Sequence, residues 1–247
     1  MASVEAPTGR FREDEYTYWL TAMVRPEVNA GVAREIVTGL LSGVSGGLVE
    51  RAATEAIWGW SCRVPPAPDP LLGDENDRGV AVMEFKSPGA DVNWTARRIY
   101  RHLTHGADPL SVRIRDEVLA RSRPEFDHGH FDDECGGTPR TCGDAGEEWK
   151  GTVSGRHYPC LHQGDVYATT TDYMPAGFRV DSLRDLRYVF VAPHQKAVEV
   201  WKDGLRSIDE WTVVMLPDVL RVWEQRAALV PGLDVVVRVT RDFLRLS

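Results

Sequence analysis

Apolar and polar positions alternate most tellingly between residues 69 and 86. Residues 80–86 read VAVMEFK, a β-branched and apolar run that closes on two charges, as expected of a strand buried on both faces. The polar cluster before it, 73–79 (GDENDRG), reads as a turn, and 69–72 (DPLL) as a short preceding strand. A hairpin folded symmetrically about Asn76-Asp77 sets Asp69 directly opposite Glu84. Directly opposed residues share a face, with Cβ atoms about 4.5–5.5 Å apart. Lys86 lies two residues beyond Glu84 and shares that face. The pattern therefore predicts Asp, Glu and Lys on one surface.

Around this hairpin the periodicity predicts mostly helices first and strands later. Residues 13–24 and 32–41 read as helices separated by Pro26 and Gly31. Ser45 is a suitable N-cap for a third, 46–58, with a narrow face of Val49, Ala52, Ala53, Ala56 and Trp60. Residues 59–64 read as a first strand, broken by Pro65 and Pro66. Helices follow at 93–103 and 111–121, and at 161–172, which carries Gln163 and Tyr167 at i and i+4. Strands are expected at 188–193, 197–201, 213–216 and 234–240, with a turn at 194–196 and a helix at 217–229. This order predicts an α/β domain with a mixed central sheet flanked by helices, spanning 45–247 after an N-terminal helical segment, 1–44. Residues 124–158 are rich in Gly, acids, Cys and His, and read as an insertion.

Composition narrows the class. A chain of 247 residues, 43% hydrophobic with eight Trp, can bury one sizeable core. No apolar run reaches 18 residues, which excludes a membrane-spanning helix, and the N-terminus has no apolar leader core. Four cysteines are too few for a disulfide scaffold in a chain this long, so a reducing cytoplasm is the expected location. The net charge of −8 counts against a simple DNA-coating protein. Residues 124–149, however, hold eight acids and one base, leaving −1 for the other 221 residues. Arg97, Arg98 and Arg101 are then available to meet phosphates, or to form a solvated helix face.

Two facing carboxylates repel unless a shared proton or a cation relieves them. Hard oxygen ligands suit Mg²⁺ or Mn²⁺; the plainer alternative is a polar strand end with a surface ion pair. Pro68-Asp69, Glu84-Phe85-Lys86 and the Ser87-Pro88-Gly89 that follows resemble the core motif of the PD-(D/E)XK nuclease superfamily, which includes restriction endonucleases, phage exonucleases and RecB-like domains. The resemblance implies a restriction-endonuclease-like fold and metal-dependent hydrolysis of phosphodiester bonds, in DNA rather than RNA. It also implies that Asp69 and Glu84 hold Mg²⁺ or Mn²⁺ and that Lys86 assists the attacking water. A glutamate on the helix before the hairpin joins the metal in many members, and Glu50 is the first choice here, with Glu55 behind it. Gln163 and Tyr167 match the Gln-x-x-x-Tyr motif of RecB-like members. That match gives Gln163 a water-positioning role, and Tyr167 is expected against nucleic acid beside Arg97, Arg98 and Arg101, which the charge distribution offers to phosphates. Asp74 and Asp77 compete for the first acid's role but fall in the expected turn.

A second constellation lies in the insertion. His128, His130, Cys135, Cys142, His157, Cys160 and His162 fall within 35 residues. A structural Zn²⁺ held by Cys135, Cys142, Cys160 and one histidine, His157 among them, would staple a segment with no core of its own. Some RecB-like nucleases use four cysteines for an iron–sulfur cluster, and Cys62 would complete such a set, but here the trio precedes Gln163 instead of following its helix. Reduced thiols and surface histidines are the plain reading. Against the nuclease stands a different class: a nucleic-acid-binding or assembly protein that keeps the fold without catalysis and meets a protein partner through the acidic insertion. A homodimer is expected if both strands of a duplex are cut.

Overall fold

A computed structural model of the chain describes residues 13–25, 29–44, 57–60, 69–88, 152–153, 156–157, 164, 167–168, 174–175, 177–202, 205 and 207–245. Seven strands lie among them: β1 (Ile57–Trp60), β2 (Asp69–Asp74), β3 (Gly79–Phe85), β4 (Thr152–Val153), β5 (Arg156–His157), β6 (Arg187–Ala192) and β7 (Trp211–Met215). Five form one sheet in the order β1-β2-β3-β6-β7, and β4 pairs with β5 alone. β1, β2 and β3 are antiparallel neighbours, whereas β3, β6 and β7 run parallel. The protein is thus α/β, with a mixed sheet flanked by helices.

The two faces of β3 explain its continuous apolar run. Ala81, Met83 and Phe85 enter one core, and Val82 enters the other. The first core is covered by α1 (Glu13–Met23) and α2 (Ala30–Leu40) from the N-terminus, and by two C-terminal helices, Leu216–Ala227 and Leu233–Leu244. These ends of the chain are tied together. Trp223 Nε1 donates to the Glu35 carbonyl at 2.9 Å. Tyr16 stacks on Phe243 with ring centroids 4.1 Å apart, and its hydroxyl lies 3.0 Å from Thr240 Oγ1. Gly59 lets β1 close on the end of α1: its N–H donates to the Val24 carbonyl, and a Cβ there would stand 2.8 Å from the Thr21 carbonyl oxygen.

The second core is aromatic. Phe190 stacks on Trp201 at 4.5 Å, and Trp201 meets Trp211 edge-on at 5.1 Å. Trp201 comes from α3 (Gln195–Lys202), which connects β6 to β7. With α3 placed, the C-terminal helices are α4 (Leu216–Ala227) and α5 (Leu233–Leu244). No helix among the described residues is long and apolar enough to cross a membrane.

Three expected elements are corrected. Residues 197–201 and 234–240 read as strands from their β-branched runs, but both are helical, in α3 and α5. In α5 the buried positions Leu233, Val236, Val239, Thr240, Phe243 and Leu244 follow helical spacing, and burying that stripe outweighs the strand preference of valine. Ile57 and Trp58, assigned to the end of a third helix, belong to β1, which also starts before the expected 59–64. The expected turn at 194–196 shortens, since α3 begins at Gln195. The helices expected at 93–103 and 111–121 lie outside the described residues, as does the insertion apart from β4 and β5.

Candidate active site at the carboxyl end of the central strand

β3 is the middle strand of the sheet and the one at which pairing changes from antiparallel to parallel. In open α/β sheets, ligand sites form beyond the carboxyl ends of the strands where the topology switches. The carboxyl end of β3 delivers Glu84 and Lys86, only 2% and 7% exposed. Lys86 continues the ladder one residue beyond the strand, donating its N–H to the Val191 carbonyl at 3.3 Å.

The expected shared face of Glu84 and Lys86 is observed as a salt bridge, with Lys86 Nζ donating to Glu84 Oε1. A second carboxylate comes from outside the hairpin. Lys86 Nζ also donates to Glu13 Oε1 at 3.1 Å, and the other Glu13 oxygen accepts the Ser87 N–H at 2.7 Å. Glu13 is the first residue of α1, and its side chain keeps 22% of its surface exposed. A helix glutamate does reach the hairpin's lysine, then, but it comes from α1. The expected Glu50 and its alternate Glu55 lie outside the described residues. Only tertiary packing joins residue 13 to residue 86, so no local spacing could have disclosed it.

The expected pairing of Asp69 with Glu84 is overturned. Leu71 opposes Val82 and Leu72 opposes Ala81, as a hairpin symmetric about Asn76-Asp77 requires. Between Leu71 and Asp69 the register slips, and Asp69 opposes Met83. The slip falls at Pro70, which has no N–H to offer the ladder, and proline in a strand is characteristically accommodated at such bulges. Asp69 is therefore one residue out of register with Glu84, a slip that takes it off Glu84's face in a regular ladder; its side chain lies outside the described residues.

Asp74, the competing acid, has a structural task. Its Oδ1 accepts the N–H groups of Asn76 at 2.9 Å and Arg78 at 3.0 Å, closing the turn while itself only 6% exposed. Asp77 supplies the left-handed residue of that turn, with φ of 60°. Tyr167, expected against nucleic acid, is corrected as well. It is fully buried in the second core, 6.4 Å from Trp211 between ring centroids, and packing there removes it from any surface. Gln163, Arg97, Arg98, Arg101, Cys135, Cys142 and Cys160 lie outside the described residues, and His157 is described only as backbone in β5.

A histidine expected only as part of the turn at 194–196 sits at the same edge. His194 follows β6, and its Nδ1 accepts the Ala197 N–H at 3.1 Å as α3 begins.

The donor set suits a hard divalent cation. Two carboxylates from separate elements converge on one cationic nitrogen, and carboxylate oxygens are also what such an ion takes as ligands. Among the described residues no group of three or more His, Cys, Asp or Glu side chains converges in that way. Glu84 and Glu13 are the two described carboxylates that could hold a cation there, while Asp69 opposes Met83 and is placed by its backbone alone. Comparison with family models, curated proteins and solved structures returned no match.

Proposed function

We propose that the protein is a metal-dependent nuclease of PD-(D/E)XK type, hydrolysing phosphodiester bonds with DNA as its substrate. The observation that carries this reading is the convergence of Glu84 and Glu13 on Lys86 at the carboxyl end of β3. On this reading the α/β scaffold is restriction-endonuclease-like, and the Cys/His-rich segment is an insertion stapled by Zn²⁺. Glu84, Glu13 and Asp69 would hold Mg²⁺ or Mn²⁺. Bound there, the cation would neutralise phosphate charge and acidify a water nucleophile. The Lys86 ammonium then orients that water or meets the charge developing on the phosphate. Burial of Glu84 and Lys86 strengthens both interactions by excluding bulk water.

The Asp69–Met83 register favours a second reading, a nucleic-acid-binding or assembly protein that keeps the scaffold with an incomplete metal site. Incubating the protein with single- and double-stranded DNA and RNA, in Mg²⁺, Mn²⁺ or EDTA, separates the two. A nuclease cleaves with metal, stops with EDTA, and loses at least about 10²-fold in rate in folded Lys86→Ala and Asp69→Asn variants. Full activity in either variant sinks the assignment of that residue. Absence of cleavage on every substrate sinks the enzyme.

A further inference from the structure

We infer that Lys86 is a built-in competitor of the divalent cation, so that metal entry expels its ammonium from between Glu84 and Glu13. This inference rests on the proposed metal site and adds how that site is switched on. Glu84, Glu13 and Lys86 together carry a charge of −1, and the ammonium lies where two carboxylate oxygens converge. An ammonium and a hard divalent ion seek the same oxygens, so the two occupants exclude each other by both charge and space.

The three partners differ in their freedom to move. Glu84 is held within β3 and buried. Glu13 is anchored through its second oxygen by the Ser87 N–H at 2.7 Å, a bond that does not involve the lysine. Lys86, buried like Glu84 at 7% exposed, reaches the site on a four-carbon stem from a position just past the strand's end, and leaving requires that stem to change rotamer within the protein. When a cation enters, the carboxylates stay and the lysine leaves. The ammonium that is to assist the attacking water is thereby released only when the site is loaded.

Mn²⁺ affinity tests this, measured by calorimetry and by electron paramagnetic resonance of free Mn²⁺ on the full chain. Wild type is compared with Lys86→Met and with Lys86→Gln, which keeps a hydrogen-bond donor without the charge. Both variants are expected to bind Mn²⁺ at least about tenfold more tightly than wild type, since a competing unit charge within contact distance has gone. Where Lys86→Met does not fold, the Gln variant alone decides. Affinity equal to or weaker than wild type in a folded variant overturns the inference, as does absence of Mn²⁺ uptake in all three proteins. Wild-type cleavage is scored separately. A wild type that cleaves, with no tightening in the variants, sinks the competition and leaves the nuclease; tightening beside a wild type that cleaves nothing sinks the nuclease and leaves the competition.

Discussion

The β2–β3 hairpin buries one acid at each end, and the two are used differently. Asp74 at the turn and Glu84 near the carboxyl end of β3 are almost equally hidden, 6% and 2% exposed. Asp74 spends an oxygen on the N–H groups of Asn76 and Arg78, fixed backbone donors four residues away or fewer. Glu84 is met by Lys86, a long side chain that also answers to Glu13 from a helix more than seventy positions earlier in the chain. A buried carboxylate closed by backbone amides is a part of the fold. One closed by a side-chain ammonium would, on the proposed function, exchange that partner for a metal ion. The identity of the partner, more than the depth of burial, separates the structural acid from the one proposed to do chemistry.

The largest effect that tests this contrast comes from removing the displaceable partner. Lys86→Met should lose about 3–5 kcal/mol in urea unfolding, because a buried ion pair is broken on one side only. Saturating Mn²⁺ should return much of that loss by mass action on the folded state. Asp74→Ala should cost less, about 1–3 kcal/mol, since the turn amides lose an acceptor but no buried charge is left unpaired. Mn²⁺ should return nothing there. A variant at Asp74 that is rescued by Mn²⁺, or one at Lys86 that is not, erases the distinction. Amide substitutions sharpen it: Asp74→Asn keeps the accepting oxygen and should stay within about 0.5 kcal/mol of wild type, whereas Glu84→Gln should lose Mn²⁺ binding.

Legibility in the sequence followed the range of each interaction. The buried strand at 80–86 and the shared face of Glu84 and Lys86 rest on an i, i+2 relation, so composition and alternation were enough. Asp69 was placed one residue out of register because symmetric counting assumes an unbroken ladder, and Pro70 breaks it. Asp74 was ranked below Asp69 for lying in the turn, and its hydrogen bonds to Asn76 and Arg78 supply the mechanism. Glu13 went unread because its bond to Lys86 depends on how α1 packs against the sheet. In α3 and α5 the valines spoke for strands, while the positions of Ala197, Val198 and Trp201, and of Leu233, Val236, Val239 and Phe243, followed the helical period. Where β-branched residues dominate, spacing is the better guide than residue type.

A third buried polar group refines the contrast with the smallest effect. Tyr16 is fully buried beneath Phe243 and pairs with the neutral hydroxyl of Thr240, so neither charge nor exchange is involved. Tyr16→Phe should cost about 0.5–1.5 kcal/mol at pH 7, the net value of one hydrogen bond, and leave Mn²⁺ affinity unchanged. Its pH dependence has a definite sign. Burial holds the phenol's pKa well above its ordinary value near 10, the Thr240 bond offsetting only part of that rise. Below about pH 10 the folded and unfolded states are both protonated and the full stability is present. Above it the unfolded chain releases the proton first, so stability falls as pH climbs, by up to about 1.4 kcal/mol per pH unit from this one residue. The Phe variant lacks that slope. Urea unfolding between pH 8 and 11 should therefore show wild type ahead at pH 8 and the gap narrowing beyond pH 10. A gap that stays constant to pH 11 would mean that Tyr16 ionises as readily in the folded core as in the unfolded chain.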